Sequence, residues 1–210
     1  MEHCVIFCAG GFSALAEPIP PGSLVIAADG GLRHTQALGL TAHMVLGDFD
    51  SLGQIPAGAE VYPVEKDDTD AMLAIKRGLA LGCRRFTIYG GLDGKRLDHT
   101  IANLQALLYL AEHDAVGTLV GNDFVIQSLR NDSLTFPGHF SGIFSLFCLG
   151  ADARQVEIRG AKYNLENGVL TAGFPLGVSN HFLGKPVTVR VGSGTVLLLW
   201  DRVNGLLQDC

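Results

Sequence analysis

The chain has 210 residues, 48% of them hydrophobic and 17% charged, a composition that supplies a full core and excludes disorder. Its formal net charge is −6 with no lysine or arginine run, which speaks against nucleic acid as a partner. Five cysteines with no Cys-x-x-Cys pair indicate neither a disulfide framework nor a zinc knuckle, no stretch approaches the ~18 apolar residues of a membrane span, and Met1-Glu2-His3 lacks a basic signal region; a reducing cytosol is expected.

Along roughly the first 130 residues, strand-like and helix-like segments alternate, the mark of an α/β domain. Cys4–Ala9 is an apolar run ending in Gly10-Gly11, and Leu24–Ala28 is another, ending in Asp29-Gly30-Gly31. Leu32–Leu38 reads as a helix closed by Gly39, and Met44-Val45-Leu46 as a buried strand. Glu60–Val64 reads as a short strand. Thr69 is placed to N-cap a helix carrying Met72, Leu73, Ile75 and Leu79, with Gly82 at its end. Phe86–Tyr89 is a strand running into Gly90-Gly91, Asp98–Glu112 is helical, and Thr118–Val120 and Phe124–Leu129 read as closing strands.

Beyond residue 130 the character changes to short β-biased runs punctuated by Gly, Pro and Asn. The expected architecture is therefore a Rossmann-like α/β/α domain with a mostly parallel sheet over residues 1–130, followed by an all-β sandwich over 131–210. Val187–Val196 resembles a hairpin with a Gly-rich turn.

Chemistry concentrates behind the strands of the first domain. Gly47-Asp48-Phe49-Asp50-Ser51 sets two carboxylates one residue apart, a hard-oxygen arrangement suited to Mg²⁺. Lys66-Asp67-Asp68-Thr69-Asp70 adds further acids at a helix start, where a carboxylate also suits the dipole. Gly90-Gly91-Leu92-Asp93-Gly94-Lys95-Arg96-Leu97-Asp98-His99 joins a glycine-rich loop, which can approach phosphate closely, to a cationic fork and an acid. Taken singly, each acid has an ordinary turn explanation. Together they repel one another unless a cation or hydrogen bonds compensate. Asp29, Asp48, Asp50, Asp70 and Asp98 are all expected at the carboxyl edge of the sheet, where open α/β folds bind ligands.

In order, Asp29-Gly30-Gly31, Gly47–Ser51, Asp67–Asp70, Gly90–His99 and the late pair Ser179-Asn180 resemble the motif series of the thiamine pyrophosphokinase family. The resemblance covers nearly the whole chain. It implies transfer of a pyrophosphoryl group from ATP to the hydroxyl of thiamine, giving thiamine diphosphate and AMP. It further implies that Asp48, Asp50 and Asp70 hold Mg²⁺, and that Asp29, Gly30, Gly31, Gly90, Gly91, Gly94, Lys95 and Arg96 serve the nucleotide. Arg96, Asp70 and Asp98 are the catalytic candidates, with Asp70 or Asp98 accepting the hydroxyl proton. Asp98, Ser179, Asn180 and Trp200 would meet thiamine, the indole by stacking, in a homodimer. Rival readings are another Mg²⁺-dependent pyrophosphokinase or hydrolase on the same scaffold, and a non-catalytic thiamine or nucleotide sensor.

Overall fold

A computed structural model of the chain describes residues 2–50 and 53–207; Ser51, the last residue of the acidic motif, and Cys210 lie outside the described residues. Two compact units divide between Asn122 and Asp123.

In the first unit, β1 (His3–Phe7) and β2 (Leu24–Ala28) are the almost wholly buried runs that the sequence marks as apolar. Each fully buried Val, Leu or Ile contributes about 1.5–3 kcal/mol, so these strands anchor the core. With β3 (Met44–Gly47), β4 (Glu60–Val61), β5 (Arg85–Tyr89) and β6 (Val116–Val120) they form the order β6-β5-β1-β2-β3-β4. Every pairing along it is parallel. The chain builds outward from β1 to β4, then returns to β5 on the other flank of β1. That reversal makes the carboxyl ends of the central strands the natural ligand edge.

Among the described residues the sheet is accompanied by α1 (Leu32–Ala37), α2 (Asp70–Ala80) and α3 (Leu97–Glu112). Thr69 caps α2 as expected, its hydroxyl accepting from the Met72 N–H at 3.2 Å. The buried face of α2 is Ala71, Ala74, Ile75 and Gly78, the helical i, i+3, i+4, i+7 stripe. Its small residues bring the helix close: a Cβ at Gly78 would run into the Phe86 ring.

The second unit is all β. β7 (Phe124–Arg130), β9 (Ile143–Phe147), β12 (Asn180–His181) and β14 (Thr195–Asp201) form one antiparallel sheet, ordered β12-β9-β14-β7. β8 (Ser133–Phe136), β10 (Ala153–Arg159), β11 (Leu165–Leu170) and β13 (Val187–Ser193) form the other, ordered β11-β10-β13-β8. Phe136 of one sheet meets Phe144 and Trp200 of the other with ring centroids 5.6 and 5.5 Å apart, so the sheets face each other across an aromatic core.

β7 pairs residue for residue with β14, from Arg130↔Thr195 to Phe124↔Asp201, and belongs to the second unit. One element differs from expectation: Val187–Val196 is not a hairpin. β13 pairs with β10 and β8, whereas β14 pairs with β7 and β9. Gly194, at φ 100°, is the corner where the chain passes from one sheet to the other. Alternating Val187, Val189, Val191 and then Val196, Leu198, Trp200 are buried on both sides of that corner.

Candidate active site

β2 ends in a tight 3-10 turn, Asp29–Gly31, whose first residue has φ 47° and is only 8% exposed. β3, alongside it, ends in Gly47 at φ 151°, where a Cβ would lie 3.1 Å from the Asp29 backbone. Absence of that side chain lets the two strand ends close together. Phe49 then turns into the left-handed region at φ 60° and is buried, while Asp48 and Asp50 flank it on the outer side. The outcome is one carboxylate oxygen from each of Asp29, Asp48 and Asp50 lying within 4.8 Å of the others. Hard anionic oxygens so placed, and crowded enough to repel, fit a Mg²⁺ ion.

Asp70, at the first turn of α2, lies beside this group. Its Oδ1 is buried and takes no hydrogen bond, but stands 3.2 Å from Lys66 Nζ. Burial pushes the Asp70 carboxyl above its usual range; Lys66 opposes that shift, and the charges of Asp48 and Asp29 add to it. Asp48 moves the other way. Lys66 Nζ donates to its Oδ2 at 2.8 Å, and the Asp50 N–H reaches its Oδ1 at 3.3 Å, which together hold the carboxyl below its ordinary value. Burial pulls the Lys66 ammonium down, but the hydrogen bond to Asp48 and the charges of Asp48 and Asp70 outweigh it and its pKa is raised.

The structure thus gathers Asp29, Asp48, Asp50 and Asp70, and adds Lys66, which the sequence offered only as the start of an acidic run. Of the expected metal trio, Asp48 and Asp50 are joined by Asp29, while Asp70 is engaged with Lys66. The other acids of that run serve elsewhere: Asp68 holds Lys76 through both oxygens at 2.7 Å, and Asp67 is exposed.

The loop after β5 packs on the loop after β1. Gly10 N–H donates to the Gly90 carbonyl at 3.0 Å and Gly11 N–H to that of Asp93; a Cβ at Gly10 would overlap Gly90 O. A Cβ at Gly90 would in turn overlap the Cys8 carbonyl, so glycine at both positions is explained by backbone meeting backbone. Asn103, buried in α3, donates to the Gly91 carbonyl at 2.8 Å and pins that loop. Gly94, Lys95, Arg96 and Asp98 are exposed. Arg96 forks onto Asp98 with contacts of 2.9 and 2.6 Å, and this pairing holds the Asp98 carboxyl down at about 2.

In the second unit the motif residues are built into the sandwich. Ser179, at φ 61°, donates its N–H to Ser145 Oγ at 3.0 Å. Asn180 is buried; its Oδ1 accepts from the N–H groups of Tyr163 and His181 at 3.0 and 2.9 Å, and its Nδ2 donates to the Tyr163 carbonyl at 2.7 Å. Trp200 departs from the expected stacking platform. It is 0% exposed, edge-on to Phe136, and its indole N–H donates to Gly205 O at 2.9 Å, so the ring serves the core and offers no open face.

Two family models match the chain: "Thiamin pyrophosphokinase, catalytic domain" over residues 19–116, and "Thiamin pyrophosphokinase, vitamin B1 binding domain" over residues 131–196. A curated relative, the thiamine pyrophosphokinase of Bacillus subtilis (strain 168), is 26% identical over 193 residues, 84% of this chain and 86% of the relative. The crystal structure of thiamine pyrophosphokinase from Bacillus subtilis superposes with a TM-score of 0.84 at 22% identity, covering 95% of this chain and 99% of that one. The yeast thiamin pyrophosphokinase structure does so with a TM-score of 0.73 at 14% identity, covering 98% and 88%.

Proposed function

This chain belongs to the thiamin pyrophosphokinase family, and we propose on that footing how its own residues carry the transfer of a pyrophosphoryl group from ATP to thiamine. The observation that carries the reading is the convergence of Asp29, Asp48 and Asp50 behind β2 and β3.

In the reaction the thiamine hydroxyl oxygen bonds to the β-phosphorus of ATP, the bond from that phosphorus to the α,β-bridging oxygen breaks, and AMP leaves. The work asked of a protein here is positioning and charge neutralisation. Asp29, Asp48 and Asp50 would hold Mg²⁺, which when bound neutralises charge on the phosphate oxygens. Asp70 is suited to take the hydroxyl proton, because burial raises its proton affinity. Asp98, held low by Arg96, is the poorer base. Lys95 and Arg96 lie exposed on the stretch before α3, where Lys95 and, on leaving Asp98, Arg96 would meet phosphates from solvent. The β unit, which contains the second family match, would receive thiamine.

A homodimer is supported by the large apolar side chains the second unit leaves in water, among them Phe174 at 66% and Leu183 at 52% exposure; gel filtration with light scattering reads its mass. A cytoplasmic setting is supported by Cys4, Cys8, Cys83 and Cys148, buried as free thiols.

The test is incubation with ATP, Mg²⁺ and thiamine, with nucleotides resolved by chromatography. The expected outcome is thiamine-dependent AMP with an equal amount of thiamine diphosphate. ADP as the product, or no thiamine-dependent turnover, would overturn the reading.

A further inference from the structure

The acid cluster already contains a cation. Lys66 lies on the stretch between β4 and α2, where a lysine ordinarily extends into water, yet its side chain is only 13% exposed. Its ammonium donates to Asp48 Oδ2 at 2.8 Å and to the Pro63 carbonyl at 3.1 Å, and stands 3.2 Å from Asp70 Oδ1. The contrast with its neighbours is clear: Lys76 and Arg77, on the following helix, pair with Asp68 and Glu60 while 45% and 47% exposed. Those pairs are surface features; Lys66 is drawn inward.

Asp48 belongs to two groups at once. Its carboxylate is one of three that converge with Asp29 and Asp50, and it is also the main partner of Lys66. A divalent cation and an ammonium sharing one carboxylate repel each other, so occupancy by one weakens the other. Lysine suits an exchange of partners. Its point charge rides on four rotatable bonds and binds phosphate without requiring a planar fork.

We propose that Lys66 is a tethered place-holder cation: it neutralises Asp48 and Asp70 before a divalent ion binds, is released from Asp48 when one does, and then meets the phosphate chain of the nucleotide. This deepens the function proposed above and rests on it for the identity of the phosphate ligand. Competition between Lys66 and a divalent ion for Asp48 follows from geometry alone. Lys66 thus keeps four crowded acids compatible with the folded chain, and its charge stays in the site at the moment phosphate arrives.

Two substitutions test it with opposite signs. Mn²⁺ binding is measured by electron paramagnetic resonance without nucleotide, on the full chain. Lys66→Gln removes the competitor and is expected to tighten Mn²⁺ at least fivefold. Lys66→Arg, whose guanidinium grips carboxylates through two parallel hydrogen bonds, is expected to weaken it at least threefold. A strut would not produce opposite shifts, so Mn²⁺ affinity that falls or stays level in both variants overturns the place-holder role; should Lys66→Gln not fold, unchanged affinity in Lys66→Arg does the same. The phosphate half is read with the non-hydrolysable α,β-methylene analogue of ATP at saturating Mg²⁺. Lys66→Gln is expected to bind it at least fivefold more weakly, and unchanged binding overturns that half. Both readouts are binding equilibria. A wild-type protein that made no AMP from thiamine would strike the proposed function while leaving these results interpretable.

Discussion

Asp70 in the first unit and Asn180 in the second are both polar side chains drawn partly or wholly out of water, and both stand in motifs of the sequence. Asn180 has both of its polar atoms engaged, the oxygen accepting two backbone N–H groups and the nitrogen donating to a carbonyl. Asp70 has a buried oxygen to which no described residue donates a hydrogen bond, among like charges, with Lys66 as its ion-pair partner at 3.2 Å. Buried polar groups in folded proteins are nearly always satisfied, and exceptions concentrate where a ligand is awaited. On that contrast the satisfied residue belongs to the fold, and the unsatisfied one is the candidate for the proposed site.

If that contrast holds, substitutions in the two units should separate activity from stability. The largest effect is expected at Asp48 and Asp50. Asp48→Asn or Asp50→Asn should lower Mg²⁺-dependent AMP formation by about 100-fold or more while leaving the circular dichroism spectrum native. Activity within threefold of the wild type in both would remove the metal assignment. Trp200→Ala should act conversely and cost about 3–5 kcal/mol of stability, read by urea unfolding, because it empties the aromatic core between the sheets. A stable Trp200→Ala protein with a raised KM for thiamine would return the indole to the binding role that its sequence position suggested. Asn180→Leu should cost about 1–3 kcal/mol, since the backbone N–H and carbonyl of Tyr163 and the N–H of His181 would lose their side-chain partner.

Asp70→Asn should move the other way. An acid whose folded pKa is raised burdens the native state at neutral pH, and the burden is relieved as pH falls through the folded value and the group takes a proton. The variant is therefore expected to unfold at higher denaturant than the wild type at pH 7, by on the order of 1 kcal/mol. The difference should close as the pH is lowered below the folded pKa of Asp70. Stability gained with turnover lost would identify the site's charge as held against the fold.

The same contrast explains what could be read from the sequence. Runs such as Leu24–Ala28, buried at every position, and the Thr69 cap of α2 are local signals, and the structure repeats them. That Asp29, Asp48 and Asp50 would share one edge was legible because each follows a strand of one parallel sheet, whereas the sequence assigned Asp70 and not Asp29 to the metal. Lys66 was not legible. Its importance depends on a loop folding back to Asp48, and no periodicity records that. Alternation marked Val187–Val191 and Val196–Trp200 as strands but could not say that the corner at Gly194 changes sheets. Nor could a Leu-Leu-Leu-Trp run reveal whether the indole faces a ligand or its own core.

The Arg96–Asp98 pair tests the rule at its weakest point. Both side chains are largely exposed, at 68% and 63%, and they satisfy each other, so by the rule they should serve neither core nor site. Their position ahead of α3 argues otherwise, because a fork that releases a surface carboxylate can take a phosphate in its place at little energetic cost. Asp98, with its pKa depressed to about 2, lends stability that is present above the usual carboxylate range and lost as pH falls through about 2. Solvent screens the pair, and Arg96→Gln should therefore shift the melting temperature at pH 7 by less than about 2 °C. Its effect on chemistry should be far larger, with turnover falling about tenfold or more if the guanidinium meets the transferring phosphates. A variant unchanged in both respects would make the pair a solvated surface ornament, and satisfied polarity would then mark an absence of function on the exterior as it marks the fold within.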